Sequence, residues 1–562
     1  MKQMIGKISK HRTLFLILTI VTVSILTVSF KPAQDDYFFK VNKSLDILGH
    51  VYKEISINYV DAVDPSKFME SGIDGLLATL DPYTNFISET EGDEVDLITN
   101  GAYGGIGVTI GVRDGYITVM SVMEGYSAQQ QGILPGDRIL AIDGKPVIGT
   151  KPDAIRPMTR GEVGTEVHLK IERDGEAAPL EFTVIREQVQ VKNVSYADFI
   201  EQGTAYIKLE HFSRNAGEEV RMAIQDLKLK GPINGIILDL RDNPGGLLDA
   251  AVDVVEKFVP RGSLIVSTKG RQPESEKKYF STEDPILPNT PMVVLTNHGS
   301  ASASEIVAGA IQDLDRGVIM GTRSFGKGLV QTITPLPYNT QLKITTAKYY
   351  TPSGRCIQEI DYSRRDTNGS FAITADSARH EFKTISGRHV YEHGGITPDS
   401  IIELPQASTL NRELLRKLIY FKFATKYAGL HKNDLNAFET DSTLLGQFKN
   451  FIEQDGFTYQ DDGEKKVLEL QQIAGMEKYG SSVRSEIEHL QRELVNEKVN
   501  AFQKHLSEIK HELMAELATR SSGEKGRIAM SAKDDIQING AESVLSSSIN
   551  YDRLLTLREH GK

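Results

Sequence analysis

At 562 residues the chain is long enough for several domains, each able to bury a core of its own. A formal net charge of −12, with no basic arm beyond the first dozen residues, argues against nucleic acid as the main partner. A single cysteine, Cys356, excludes an intramolecular disulfide and any cysteine-rich metal site, and it reads as a small structural residue.

Lys2, Lys7, Lys10, His11 and Arg12 precede an apolar run from Thr13 to Phe30, the pattern of a positive n-region and an export core. No small-x-small cleavage site follows, and no cysteine is placed for a lipid anchor. An uncleaved inner-membrane anchor over residues 13–30, or a poorly defined export signal, is therefore expected. The bulk of the chain then lies outside the cytoplasm, in a bacterial periplasm. A buried soluble helix is the rival reading, which the charged flank disfavours.

Leu45 to Leu80 shows helical periodicity. Downstream, Tyr103-Gly104-Gly105-Ile106-Gly107-Val108-Thr109-Ile110 is followed by Ser127 to Val147, which contains Leu134-Pro135-Gly136-Asp137-Arg138-Ile139-Leu140 and Ile142-Asp143-Gly144. Residues of about 97 to 187 thus resemble a PDZ domain. A glycine-rich loop ahead of a strand presents backbone amides to a terminal carboxylate while the bound peptide adds itself as a strand. By resemblance, Gly105, Ile106, Gly107 and Val108 form that loop. The plain alternative is a tight strand entry without a ligand.

From about 190 to 405, strand and helix patterns alternate: Thr204 to Leu209, Asn215 to Lys228, Gly235 to Arg241, Leu247 to Val259, Met292 to Thr296 and Ala303 to Leu314. An α/β core follows from this order. The strand Gly235–Arg241 runs into Asp242-Asn243-Pro244-Gly245-Gly246, where two glycines let the backbone approach a ligand. Ser302, within Ser300-Ala301-Ser302-Ala303-Ser304-Glu305, falls at a helix start, whose free amides can stabilise an oxyanion. Further on stands Phe325-Gly326-Lys327-Gly328-Leu329-Val330-Gln331.

A serine hydroxyl is a poor nucleophile until a base takes its proton. A lysine can act as that base only if desolvation lowers its pKa from ~10.4 toward ~7–8, at a cost of about 4 kcal/mol. Lys327, among Phe325, Leu329 and Val330, suits such a site. Gln331, four positions on, returns to the same side of a strand or helix and is placed to hold the amine.

Each piece has a bland reading. Ser302 alone would be a helix cap. Gly321-x-x-x-x-Gly326-Lys327 copies most of a phosphate-binding loop, but Gly328 stands where that motif needs Ser or Thr, and a strand pattern follows in place of a helix. His298 lies near Ser302 without a G-x-S-x-G elbow and reads as a turn residue.

Together the three segments resemble the carboxyl-terminal processing, or tail-specific, proteases of the Ser/Lys type, over about residues 36 to 405. The resemblance implies Ser302 as nucleophile, Lys327 as general base and Gln331 as its support. It implies an oxyanion hole from the amide of Ala303 and a glycine amide of Gly245 or Gly246. No cofactor, metal or nucleotide is called for, and the substrates are proteins or peptides with free C-termini, captured by the PDZ domain and cleaved through an acyl-enzyme. A PDZ domain that also gates activity when a tail binds is implied by the same resemblance. The family's helical N-terminal domain can help form dimers, so a homodimer and an activator or adaptor protein are left open as partners. The rival of another class is a PDZ scaffold or chaperone with a degenerate peptidase core, which the intact Ser, Lys and Gln disfavour.

After Gly394-Gly395-Ile396-Thr397-Pro398-Asp399 the pattern turns helical and charge-rich. Val495, Val499, Phe502, Leu506, Ile509 and Leu513 recur at steps of four and three, a stripe that either pairs with another subunit or packs on its own domain. From Ser521 the composition of Ser, Gly, Lys and Asp predicts a flexible tail. The expected organisation is an export signal or anchor (1–35), a helical N-terminal domain (36–96), a PDZ domain (97–187), a Ser/Lys protease core (188–405), a helical C-terminal domain (406–520) and a tail (521–562). The fold class is multidomain α/β, a mixed α/β core with an inserted PDZ domain and helical flanks.

Overall fold

The computed structural model describes residues 33–89, 92–201, 203–365, 371–373, 379–431 and 442–556. The expected export segment lies outside them. Among the described residues no helix is long and apolar enough to cross a membrane. The chain divides after Phe86 into two units.

In the first unit, helix Ala33–Asn58 is followed by helix Pro65–Leu77. Asp64 caps the second, its carboxylate accepting from the amides of Ser66 and Lys67 at 3.0 and 3.3 Å, and Pro65 occupies the first turn, where its missing N–H costs nothing. Tyr52 stacks on Phe68 and donates its hydroxyl to the carbonyl of Pro65, which ties the two helices together.

The second unit begins with an antiparallel sheet of strands Val108–Arg113, Tyr116–Val122, Arg138–Ile142, Glu166–Glu172 and Leu180–Ile185, adjacent in that order. Glu166–Glu172 shows how sequence sets its faces: Val167, Leu169 and Ile171 are buried while Glu166, His168 and Lys170 face water. Ile155 of helix Pro152–Thr159 joins Ile106, Ile117 and Ile139 in the core below. Val108–Arg113 is an edge strand beside that helix, the arrangement of a PDZ domain with its peptide groove.

The core expected over residues 188–405 is a sheet in the order Val194–Glu201, Thr204–Leu209, Gly235–Asp239, Met292–Thr296, Val318–Gly321, Ser400–Ile401, parallel except for the first pair. Gly235–Asp239 and Met292–Thr296 are buried at every position, as strands covered on both faces must be. Ile236, Leu238, Met292 and Val294 pack against helices Ala216–Lys230, Leu248–Glu256 and Ala303–Asp313. Ile237, Val293 and Leu295 point the opposite way, against Ala532, Ile538, Ala541 and Tyr551.

Those last residues correct the expectation of a flexible tail. The chain beyond Ser521 is helical through Leu555, kinked at Ser522 and Gly523 and continuing as Ile536–Leu545 and Ser548–Leu555. The Tyr551 hydroxyl lies 3.0 Å from the amide of Met292, and Arg241 pairs with Asp535 at 2.7 Å. The polar composition concealed apolar residues, spread over three successive helices, that together cover one sheet face.

The expected stripe from Val495 to Leu513 is split by the break at Asn500. Ile509 and Leu513 are fully buried with Leu414, Phe423 and Phe448 in the helical domain's own core, whereas Val495 and Val499 remain exposed on Ser481–Val499. That helix pairs with Asp462–Met476 around Val467, Ala474 and Ile487.

Candidate active site

Strand Met292–Thr296 ends in a turn that holds His298 against the ring of Phe325, as expected of a turn residue. The chain then enters helix Ala303–Asp313 through Ser302, whose backbone (φ 56°, ψ −113°) is one that side-chain-bearing residues rarely adopt. Such a conformation costs on the order of 1–3 kcal/mol and persists only where neighbours impose it. Here Ala301 donates its amide to the carbonyl of Asn243 at 3.0 Å, and Ser302 donates its amide to the Glu305 carboxylate at 2.9 Å.

Glu305 is the centre of the site. It is fully buried and accepts four hydrogen bonds: from Ser302 N–H, Lys327 N–H (2.8 Å), Gly326 N–H (2.7 Å) and the Ser324 hydroxyl (2.6 Å). One carboxylate therefore fixes the backbones of both expected catalytic residues. Tyr349 adds a second tie, since its hydroxyl lies 3.0 Å from the Ser302 carbonyl and 2.6 Å from that of Lys327 and donates to one or the other. Gly326, at φ 90°, has no room for a side chain, because a Cβ would sit 2.8 Å from that of Glu359.

Lys327 precedes strand Leu329–Pro335, paired antiparallel with Gln341–Tyr350. A phosphate loop would lead into a helix, so the nucleotide reading falls. Gln331 lies opposite Thr345 and donates its side-chain amide to that hydroxyl at 3.2 Å.

The turn after Gly235–Asp239 is stitched to the serine loop. Ser300 donates its hydroxyl to the Leu240 carbonyl (2.8 Å), Asn297 donates to Asp242 (2.9 Å), and Ser304 donates to the Asn243 carbonyl (2.9 Å). Gly245, at φ 101°, lies so close to Ser302 that a Cβ there would be 2.7 Å from the Ala301 oxygen and 2.9 Å from the Ala303 nitrogen. Its amide, expected as an oxyanion donor, instead donates to Asn243 Oδ1 at 2.9 Å, an Asx turn that closes the loop on itself. Behind the turn, burial alone would raise the Asp239 carboxyl, but Arg241 and Lys208 beside it hold it down at about 2.

Ser302, Ala303, Lys327, Gln331, Gly245 and Gly246 all line one cavity of about 690 Å³, which continues past Phe212 and Tyr349 to Val108, Ile110 and Ile106 of the PDZ groove. Gly107 makes its turn at φ 79°, and the amides of Ile106 and Gly107 donate to no acceptor among the described residues. Gly105 ends strand Ala102–Gly105 just before them. Cys356 is buried, with burial raising its thiol, and is not among the residues that line the cavity.

The Glu305 network has a measurable consequence. Burial raises its carboxyl from 4.5 to about 6, against the four donors, which favour the anion. The folded chain thus binds this proton more tightly than the unfolded chain, and stability falls as pH rises through that window, by about 2 kcal/mol. In Glu305→Gln the amide group turns an N–H toward existing donors and leaves at least one buried donor unmade, at about 1–3 kcal/mol. Urea unfolding of both proteins should show the variant less stable at pH 7, with the gap wider by about 2 kcal/mol at pH 4.5, where the native carboxyl is protonated. A gap independent of pH would show that Glu305 does not titrate as described.

Models of known families match three stretches of the chain: peptidase family S41 over residues 203–364, a PDZ domain over 104–184, and the probable PDZ-protease C-terminal helical domain over 410–545. A carboxy-terminal-processing protease of Bartonella bacilliformis is 39% identical over 321 residues, 57% of this chain and 73% of that protein. The carboxy-terminal processing protease CtpB of Bacillus subtilis is 32% identical over 324 residues, 57% of this chain and 66% of that one. Among solved structures, the photosystem II D1 C-terminal processing protease aligns at 24% identity and a TM-score of 0.34, over 63% of this chain and 92% of its own, so the fold rests on the topology above. The class defined is a peptidase equipped with a PDZ domain, a module suited to peptides with free C-termini. The chain belongs to peptidase family S41, the family of the carboxy-terminal processing proteases.

Proposed function

We propose that the chain is an endopeptidase that captures protein tails through its PDZ domain and cleaves them with Ser302 and Lys327. The observation that carries this reading is the joint anchoring of the two residues: Glu305 accepts from both backbone amides, and both side chains line the cavity that runs to the PDZ groove.

In this reading a neutral Lys327 takes the Ser302 proton as Oγ attacks the scissile carbonyl carbon. The resulting oxyanion is met by the amides of Ala303 and Gly246, since that of Gly245 is already engaged by Asn243. Collapse breaks the C–N bond, and the Lys327 ammonium returns a proton to the leaving amine. Water, deprotonated by Lys327, then hydrolyses the acyl-enzyme. Gln331 gives its amide hydrogen to Thr345, which leaves its oxygen to accept from the lysine amine. The terminal carboxylate of the tail is taken by the amides of Ile106 and Gly107, and tethering raises the local concentration of the scissile segment. The basic and apolar N-terminus, residues 1–30, supports an extracytoplasmic place for this activity.

A fluorophosphonate probe tests the nucleophile. Intact-mass and peptide mapping should find one adduct, on Ser302, with labelling strongly slowed in Lys327→Ala. An adduct elsewhere, or equal labelling of the variant, would overturn the assignment.

A further inference from the structure

Acidic residues outnumber basic ones in this chain, 76 to 64, yet among the described residues no Asp or Glu lines the cavity between the PDZ groove and Ser302. The charged side chains on its wall are Arg156, Arg160, Lys327 and Lys343. Two of these are accounted for. Lys327 acts uncharged in the proposed mechanism, and Arg156 stands beside Asp153 at 3.7 Å.

The other two have no carboxylate partner among the described residues. Arg160, at the end of helix Pro152–Thr159, lies over the Tyr103 ring at 4.4 Å. That contact orients the guanidinium without neutralising it. Lys343 is half-buried opposite Ile333, two positions along the strand from Thr345, the partner of Gln331. An extended chain covers about 7 Å in two residues, so Lys343 lies one strand repeat beyond the Gln331 pair. Each cation is thus half-buried at a largely apolar wall, with no carboxylate partner among the described residues.

We propose that Arg160 and Lys343 are specificity-determining residues that select protein tails bearing an acidic side chain in the segment held between the scissile bond and the PDZ groove. The proposal rests on the reading of this cavity as the tail's path. An aspartate there supplies a counter-charge, whereas a lysine meets like charge. Discrimination then comes as much from rejection of basic tails as from attraction of acidic ones.

The test uses the full chain and a set of peptides sharing one neutral, apolar tail with a free carboxylate. Asp or Lys is placed singly at each successive position, and kcat/KM is measured for each. At one or more positions the Asp-to-Lys ratio should reach about tenfold or more, the size of one charge-assisted contact. The ratio should shrink in Lys343→Met or Arg160→Gln, reverse in Lys343→Glu, and decline for the wild type as salt is raised. Thermal melts confirm that each variant folds, and the salt series needs no variant. Ratios within twofold at every position overturn the inference while leaving the peptidase reading intact, as do ratios unchanged in both variants. A wild type that cleaves neither the peptides nor an unfolded protein overturns both.

Discussion

Ser302→Ala is expected to lower kcat on an unfolded model protein by on the order of 10⁴–10⁶-fold, and Lys327→Ala by a comparable factor. The two losses match because neither group works without the other: an alcohol with no base stays protonated, and an amine with no alcohol has nothing to activate. The double variant should therefore be no slower than Ser302→Ala alone. Lys327→Arg sharpens the test, since it keeps a cation at the site but cannot give up its proton near neutral pH. It should be as inactive as Lys327→Ala if the residue serves as a base. An active Arg variant would mean that Lys327 contributes only positive charge. Because Lys327 reaches the Glu305 network through its backbone amide, which any residue supplies, none of these variants should shift the thermal midpoint much.

The residues proposed to perform the chemistry were legible because the local pattern carries them: a small-residue helix start for Ser302, glycines around Lys327, and a spacing of four to Gln331. What organises them was not, since it depends on contacts between distant segments. Glu305 stood in the sequence only as the end of the Ser/Ala run, with no role assigned to it, yet its carboxylate is the acceptor for a loop about twenty residues on. Tyr349 gave no signal of bridging two carbonyls. The engagement of Gly245 could have been read from Asn243-Pro244-Gly245, where an Asn side chain typically bonds an amide two residues ahead. The C-terminal cover had a signal too. Strands such as Gly235–Asp239 and Met292–Thr296, apolar at nearly every position, need both faces covered, and the helices of the core supply only one.

That second face makes the C-terminal residues the most consequential part of the chain outside the site. Ending the chain at Lys533 removes helices Ile536–Leu545 and Ser548–Leu555 and uncovers Tyr206, Ile237, Val293, Leu295, Val318 and Met320, all now at most 2% exposed. At about 1.5–3 kcal/mol for each large apolar side chain, the loss is on the order of 10 kcal/mol, as large as the whole stability of a typical domain. The truncated protein should be insoluble or unfolded, and recovery of a soluble form with the native melting temperature would refute the argument. A lighter change separates stability from catalysis. Asp535 and Gln537 both accept from Arg241, whose guanidinium also holds Asp239 at the exit of the strand leading to Asn243, Gly245 and Gly246. Asp535→Ala leaves the apolar cover in place but slackens the arginine behind the turn that carries Gly245 and Gly246, so kcat should fall by about tenfold or more while the protein stays folded. Tyr551→Phe, which removes only the hydroxyl at the Met292 amide, should do the reverse, costing about 1 kcal/mol of stability with little change in kcat. If both variants lost activity only in proportion to stability, the C-terminal helices would be a cover and nothing more.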